Sequence, residues 1–147
     1  MLMNQTSSEI KYYPLAGLLP GGQIFALHME MRTLSLLSEG PMLLKQQQFS
    51  DSELRVIMPI LDAYPYYCPY EVLLAYISKR VVTASVITEC HQRLQEAHQQ
   101  GRLRNELKPV RRAISSLRAK LHSFQLEISI VREEGCNLTL LMAMPFL

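Results

Sequence analysis

Arg102, Arg104, Lys108, Arg111, Arg112, Arg118 and Lys120 all fall between Gly101 and His122, a window that holds one anion, Glu106. Guanidinium and ammonium groups massed in this way suit the neutralisation of a polyanion such as a phosphate backbone. The chain of 147 residues carries a net charge of only +2, so its remainder is net acidic and the basic stripe is local. Charge alone fits a solvated helix face equally well. Spacing adds the missing information. Val110, Ile114, Leu117 and Leu121 recur at i, i+4, i+7 and i+11, which predicts a helix over residues 109–124 with a single apolar stripe. Arg111, Arg112, Ser115, Arg118 and His122 lie off that stripe, facing solvent or a phosphate backbone.

Other chemistry finds less support. His91 and His98 lie seven apart beside Cys90, but no second Cys/His cluster completes a tetrahedral set, so no metal site is expected. Cys68, Cys90 and Cys136 are odd in number and share no ligand spacing. With no signal-peptide pattern, they point to free thiols in a reducing cytoplasm, and Cys68 and Cys136 to small buried hydrophobes. Pro20-Gly21-Gly22 lacks the Lys-Ser/Thr of a phosphate loop. Tyr64, Tyr66, Tyr67, Tyr70 and Tyr76 suit packing between helices, with stacking on single-stranded bases as the alternative. No nucleophile, base and orienter assemble locally, so no enzyme and no cofactor are expected.

The elements that must position the basic helix follow from the rest of the chain. Residues 1–10 are expected to be a flexible N-terminus and residues 11–147 one domain, with 48% apolar residues, enough for a core. Tyr12–Leu19, Gln23–Met29, Arg32–Leu37 and Met42–Gln48 read as strands of an antiparallel β-meander over residues 11–48. Helices are expected over residues 50–124. Ser50-Asp51-Ser52-Glu53 is a capping box with Phe49 at the staple position, and Leu54, Ile57, Met58 and Leu61 follow as a buried stripe. Pro59 is expected to kink that helix, and Tyr64–Pro69 to form an extended connection. A second helix is expected over residues 69–79 and a third over 81–100, closed by Gly101 at C′. Glu133-Glu134-Gly135 between β-branched runs predicts a hairpin over residues 126–142. A basic helix followed by a hairpin is the arrangement by which a winged helix meets DNA. The apolar run Leu138–Leu147 is too short to span a bilayer and contains Pro145, so no membrane partner is expected.

The order of elements and the two closing motifs resemble the winged helix-turn-helix DNA-binding domain of OmpR/PhoB-type response regulators. The family's recognition helix reads roughly Val-x-Val-His-Ile-x-Arg-Leu-Arg-x-Lys-Leu, onto which Val110, Ile114, Leu117, Arg118, Lys120 and Leu121 fall. Its wing reads Val-Arg-Gly-x-Gly-Tyr-x-Leu, matched by Val131, Arg132, Gly135 and Leu138. Phe49-Ser50 and Glu53-Leu54 are similar to the start of the family's first helix, and the likeness spans roughly residues 23–142. The resemblance implies an α+β winged helix-turn-helix: an N-terminal antiparallel β-meander, a helical bundle and a C-terminal β-hairpin wing. It implies a recognition helix in the major groove, Lys108 on a phosphate at that helix's N-terminus, Arg118 towards the backbone or a base edge, and Arg132 in or near the minor groove.

The departures set limits on what transfers. Ala113 stands where the family often has histidine, and Ser115 and Ser116 where it often has basic or long polar residues. Arg111 and Arg112 are additions, and Glu133 and Glu134 place negative charge on the wing tip. Residues 81–105 replace the family's loop, which can touch RNA polymerase, with a helix that serves either a partner or extra core. The 147 residues carry no receiver domain, so phosphorelay control is not expected. The expected activity is sequence-specific binding of double-stranded DNA by a cytoplasmic, nucleoid-associated transcriptional regulator. Lys108, Arg111, Arg112, Ser115, Ser116, Arg118 and Arg132 form its DNA-binding set, with RNA polymerase or a homodimer partner at residues 81–105. The alternative expectation is a winged-helix protein–protein interaction module with weak or no DNA binding.

Overall fold

The computed structural model describes residues 9–40, 42–132 and 134–141. Most of the expected N-terminal segment, the tip residue Glu133 and the end of the apolar C-terminal run lie outside the described residues. Strands β1 (Ile10–Tyr13), β2 (Ile24–His28), β3 (Thr33–Ser38) and β4 (Met42–Gln48) form a four-stranded antiparallel sheet in sequential order. The meander is therefore present, with the first strand half its expected length and the second shorter by one residue at each end. The first strand does not run from Tyr12 to Leu19. Pro14 has no amide to donate, Leu15 takes a left-handed φ of 46°, and Leu15 then accepts from the Leu18 and Leu19 amides to close a turn.

Alternation along the sheet decides which face is buried. Phe25, Leu27 and Leu34 are fully buried, and Phe25 meets Phe124 edge to face with ring centroids 5.0 Å apart. At the far end the Tyr13 hydroxyl donates to Asp62 over 2.6 Å.

Helix α1 (Asp51–Ala63) starts at the expected capping box. The Ser50 hydroxyl accepts from the Glu53 amide at 3.2 Å, and the Glu53 carboxylate accepts from the Ser50 amide at 2.8 Å. The helix continues through Pro59 to Ala63, burying Leu54, Val56, Ile57, Ile60 and Leu61. The link after it is a turn closed by the Tyr66 amide on the Ala63 carbonyl, and only β5 (Cys68–Pro69) is extended. Helices α2 (Tyr70–Ser78), α3 (Ala84–Gln99), α4 (Leu103–Glu106) and α5 (Lys108–His122) follow. α3 begins three residues later than expected because Thr83 caps it, accepting from the Val86 amide. Gly101 ends it with φ of 71°, and the Arg102 amide closes back on the Ala97 carbonyl.

Strands β6 (Leu126–Val131) and β7 (Gly135–Leu140) form the expected hairpin, and β5 adds to its β7 edge in the order β5-β7-β6. α1 packs against α2, α5 and β7, and α5 packs against β6, so one core joins the helices to this second sheet. The architecture is α+β. No described helix is long and apolar enough to cross a membrane.

Candidate nucleic-acid interface

α5 is amphipathic as its spacing requires. Val110, Ala113, Ile114, Leu117 and Leu121 are buried, and Lys108, Arg111, Arg112 and Ser115 are exposed on the opposite side. No side chain caps its first turn, and Pro109 occupies a position where a missing amide costs nothing. Among the described residues, Lys108 and Arg112 have no ion-pair or hydrogen-bond partner, and neither has Arg104, which the sequence reading counted in the basic stripe but not in the site. Arg111 acts only at a distance, on the buried Tyr70 hydroxyl and the Cys136 thiol. The exposed Ser116 hydroxyl is turned back onto the helix, donating to the Ala113 carbonyl at 3.2 Å.

The rest of the stripe points inward. Arg118 donates to the Glu127 carboxylate at 3.1 Å and to the Ile128 carbonyl at 2.9 Å, so it bridges α5 to β6 rather than standing clear of the surface. Lys120 donates to the Gln48 carbonyl at 2.9 Å and to the buried Glu53 carboxylate at 2.7 Å. Arg102 is held by the Gln100 amide oxygen. Nothing in the local spacing separates these cations from Arg111 and Arg112. The partners of Arg118 and Lys120 are carboxylates and carbonyls that only the fold brings near, while Arg102 is held by a residue two positions away.

The two carboxylates respond accordingly. Burial pushes the Glu53 carboxyl up, but the Lys120 ammonium, the Ser50 amide and Ser116 outweigh it and hold the group below its ordinary value. Burial likewise pushes Glu127 up, and the Ile128 amide, His122 and Arg118 together bring it below its ordinary value.

At the hairpin turn Arg132 is exposed in a left-handed conformation, φ 50°, with no ion-pair or hydrogen-bond partner among the described residues. The Glu134 carbonyl accepts from the Tyr70 amide at 2.8 Å, which ties the turn to the start of α2. The Glu134 carboxylate sits beside the Tyr67 hydroxyl and pushes that phenol up. Of the tyrosines, Tyr70 is buried between elements as expected, Tyr66 and Tyr67 are exposed, and Tyr64 donates to the Ala16 carbonyl at 2.6 Å.

α3 serves two surfaces. Cys90, Leu94 and Ala97 are buried, while its Gln-, Glu- and His-bearing side is exposed and His91 pairs with Glu71 of α2 at 3.3 Å. Cys68 and Cys136 are buried opposite each other in the β5–β7 register, as small hydrophobes.

Lys108, Arg111 and Arg112 thus form a face of unpaired cations on α5, and Arg132 is a further unpaired cation at the hairpin turn. Cations grouped as on α5 suit an extended polyanion through charge. No protein-family model, curated protein or solved structure matches this chain.

Proposed function

We propose that this chain is a winged helix that binds duplex DNA and regulates transcription, a binding protein rather than an enzyme. The observation that carries this reading is the exposure of Lys108, Arg111 and Arg112 on one face of α5, followed in sequence by a hairpin bearing Arg132. In this reading α5 enters the major groove and Arg132 approaches the minor groove. Lys108 meets a phosphate, and Arg111 and Arg112 read guanine edges with Ser115 beside them. Arg118 acts by positioning, holding helix to hairpin, and Ser116 stays on its own backbone. Such a regulator works in the cytoplasm, on the nucleoid.

The test is a fluorescence-anisotropy titration against random duplex DNA at low and moderate salt, with Arg112→Glu alongside. Each phosphate neutralised contributes roughly −0.9 to the log–log salt slope, so the slope should be negative. Micromolar binding that weakens with salt and is lost in the variant supports the reading. No binding at low salt sinks it.

A second reading is favoured by the internal commitment of Arg118 and Lys120 and by the large polar side of α3. There the chain is a winged-helix interaction module, and α3 docks RNA polymerase or a second copy of the chain. Charge reversal at Arg111 and Arg112 separates the two: it abolishes DNA retention in the first and leaves partner binding intact in the second.

A further inference from the structure

Between α3, the start of α2 and the hairpin turn lies a cleft of about 930 Å³, within the range of small-molecule sites, roughly 300–1,000 Å³. Its accessible apolar lining is made by the exposed Tyr67 and the half-buried Leu103, beside the buried Tyr70 and Leu94. Gln95, on the exposed side of α3, supplies a polar wall. Two carboxylates also line it: Glu71 is paired with His91 at 3.3 Å, and Glu134 lies beside the Tyr67 hydroxyl. Arg132 lines the same cleft and has no carboxylate partner among the described residues.

We propose that this cleft binds a small organic anion with a flat apolar body, the acidic group held by Arg132 and the body lying against Tyr67 and Leu103. A guanidinium presents a planar fork that matches a carboxylate or sulfonate, and it is weakly hydrated, so it gives up water readily. The apolar lining rewards a ring that would otherwise order water. Neither feature alone selects this class of ligand; together they favour an anion with an apolar body over a neutral polar molecule. The consequence for regulation rests on the DNA-binding reading above. Arg132 cannot hold the ligand and lie along DNA together, so ligand and DNA oppose each other, each weakening the other by the same factor.

The probe is 8-anilinonaphthalene-1-sulfonate, with N-phenyl-1-naphthylamine as an uncharged molecule of the same body, titrated calorimetrically into the full chain without DNA. One saturable site is expected, with the uncharged molecule at least about tenfold weaker. Arg132→Gln should weaken the sulfonate to a similar degree. Gln95→Trp, an exposed helix position whose indole fills the cleft, should abolish binding while leaving the thermal midpoint and Arg132 intact. Absence of a saturable site, equal affinity for the two molecules, or indifference to both variants overturns the proposal. A DNA titration at saturating probe reads the coupling, which unchanged DNA affinity overturns. Probe binding without any DNA binding removes the regulator reading and leaves the cleft standing, so the two failures are distinguishable.

Discussion

Arg118 of α5 holds the Glu127 carboxylate of β6 at 3.1 Å, and His122, one helical turn on, lies 3.1 Å from the other oxygen of the same carboxylate. One acidic side chain thus joins the second half of the basic helix to the hairpin. Arg118 and Arg112 share a side-chain type and a helix, yet their substitutions should act on different properties. Arg118→Ala should cost about 1–2 kcal/mol of stability, the scale of charge-assisted hydrogen bonds that are partly exposed. Arg112→Ala should stay within about 0.5 kcal/mol of the parent. Urea denaturation of the two variants checks this, and equal midpoints would remove the positioning role given to Arg118.

Lys120 and Glu53 make the more buried pair. Glu53 is only 4% exposed and also closes the α1 capping box, so removal of its ammonium partner leaves a buried carboxylate with no cation beside it, held by the Ser50 amide. Lys120→Met should cost about 3 kcal/mol. The pH dependence has a definite sign. Folding lowers the Glu53 pKa from its ordinary 4.5, so its contribution is present above that value and is lost as pH falls through the lower folded value. Urea midpoints should therefore drop below about pH 4.5 in the parent, with a smaller drop in Lys120→Met.

Gly135 tests the close approach of β5 to the hairpin. A Cβ at this position would collide with the Cys68 carbonyl oxygen, a backbone atom of the strand paired in the same sheet. Gly135→Ala should destabilise by about 3 kcal/mol or more, since relief requires the two strands to part. Gly40→Ala meets no atom within 4 Å but carries a φ of 74°, so its cost should be limited to backbone strain of about 1 kcal/mol. Thermal denaturation of both variants ranks the two effects. An equal loss would show that the strands separate easily.

The three thiols should be slow. Burial pushes Cys68 up to about 12 and Cys136 up to about 11, and it raises Cys90 as well. At pH 8 only about one Cys136 in a thousand is then a thiolate. Reaction with an aromatic disulfide reagent should be limited by opening of the chain and accelerate with urea. A thiol that reacts within seconds in the native protein would place that cysteine outside the core.

What the sequence determined by itself is what lies within a few residues of itself. Ser50 and Glu53 cap each other across three positions, Gly101 supplies the left-handed turn that ends α3, and Val110, Ile114, Leu117 and Leu121 share a face by helical geometry alone. The α5 boundaries moved only from 109–124 to Lys108–His122, and the hairpin stands where its β-branched runs placed it. Those features need no distant partner. The first strand was misjudged for a related reason: the apolar run to Leu19 looks extended, but a turn at Leu15 lets it bury that side chain instead. Only the tertiary structure decided which cations of the basic stripe remain free. Lys120 meets Glu53 across 67 positions, and Arg118 meets a strand that exists only once the hairpin has formed. The cleft beside Arg132 has the same origin, since its walls come from α2, α3 and the hairpin turn. Charge in a sequence gives the number of cations; packing, by bringing distant carboxylates and carbonyls within hydrogen-bond reach, decides which of them are left to face a ligand.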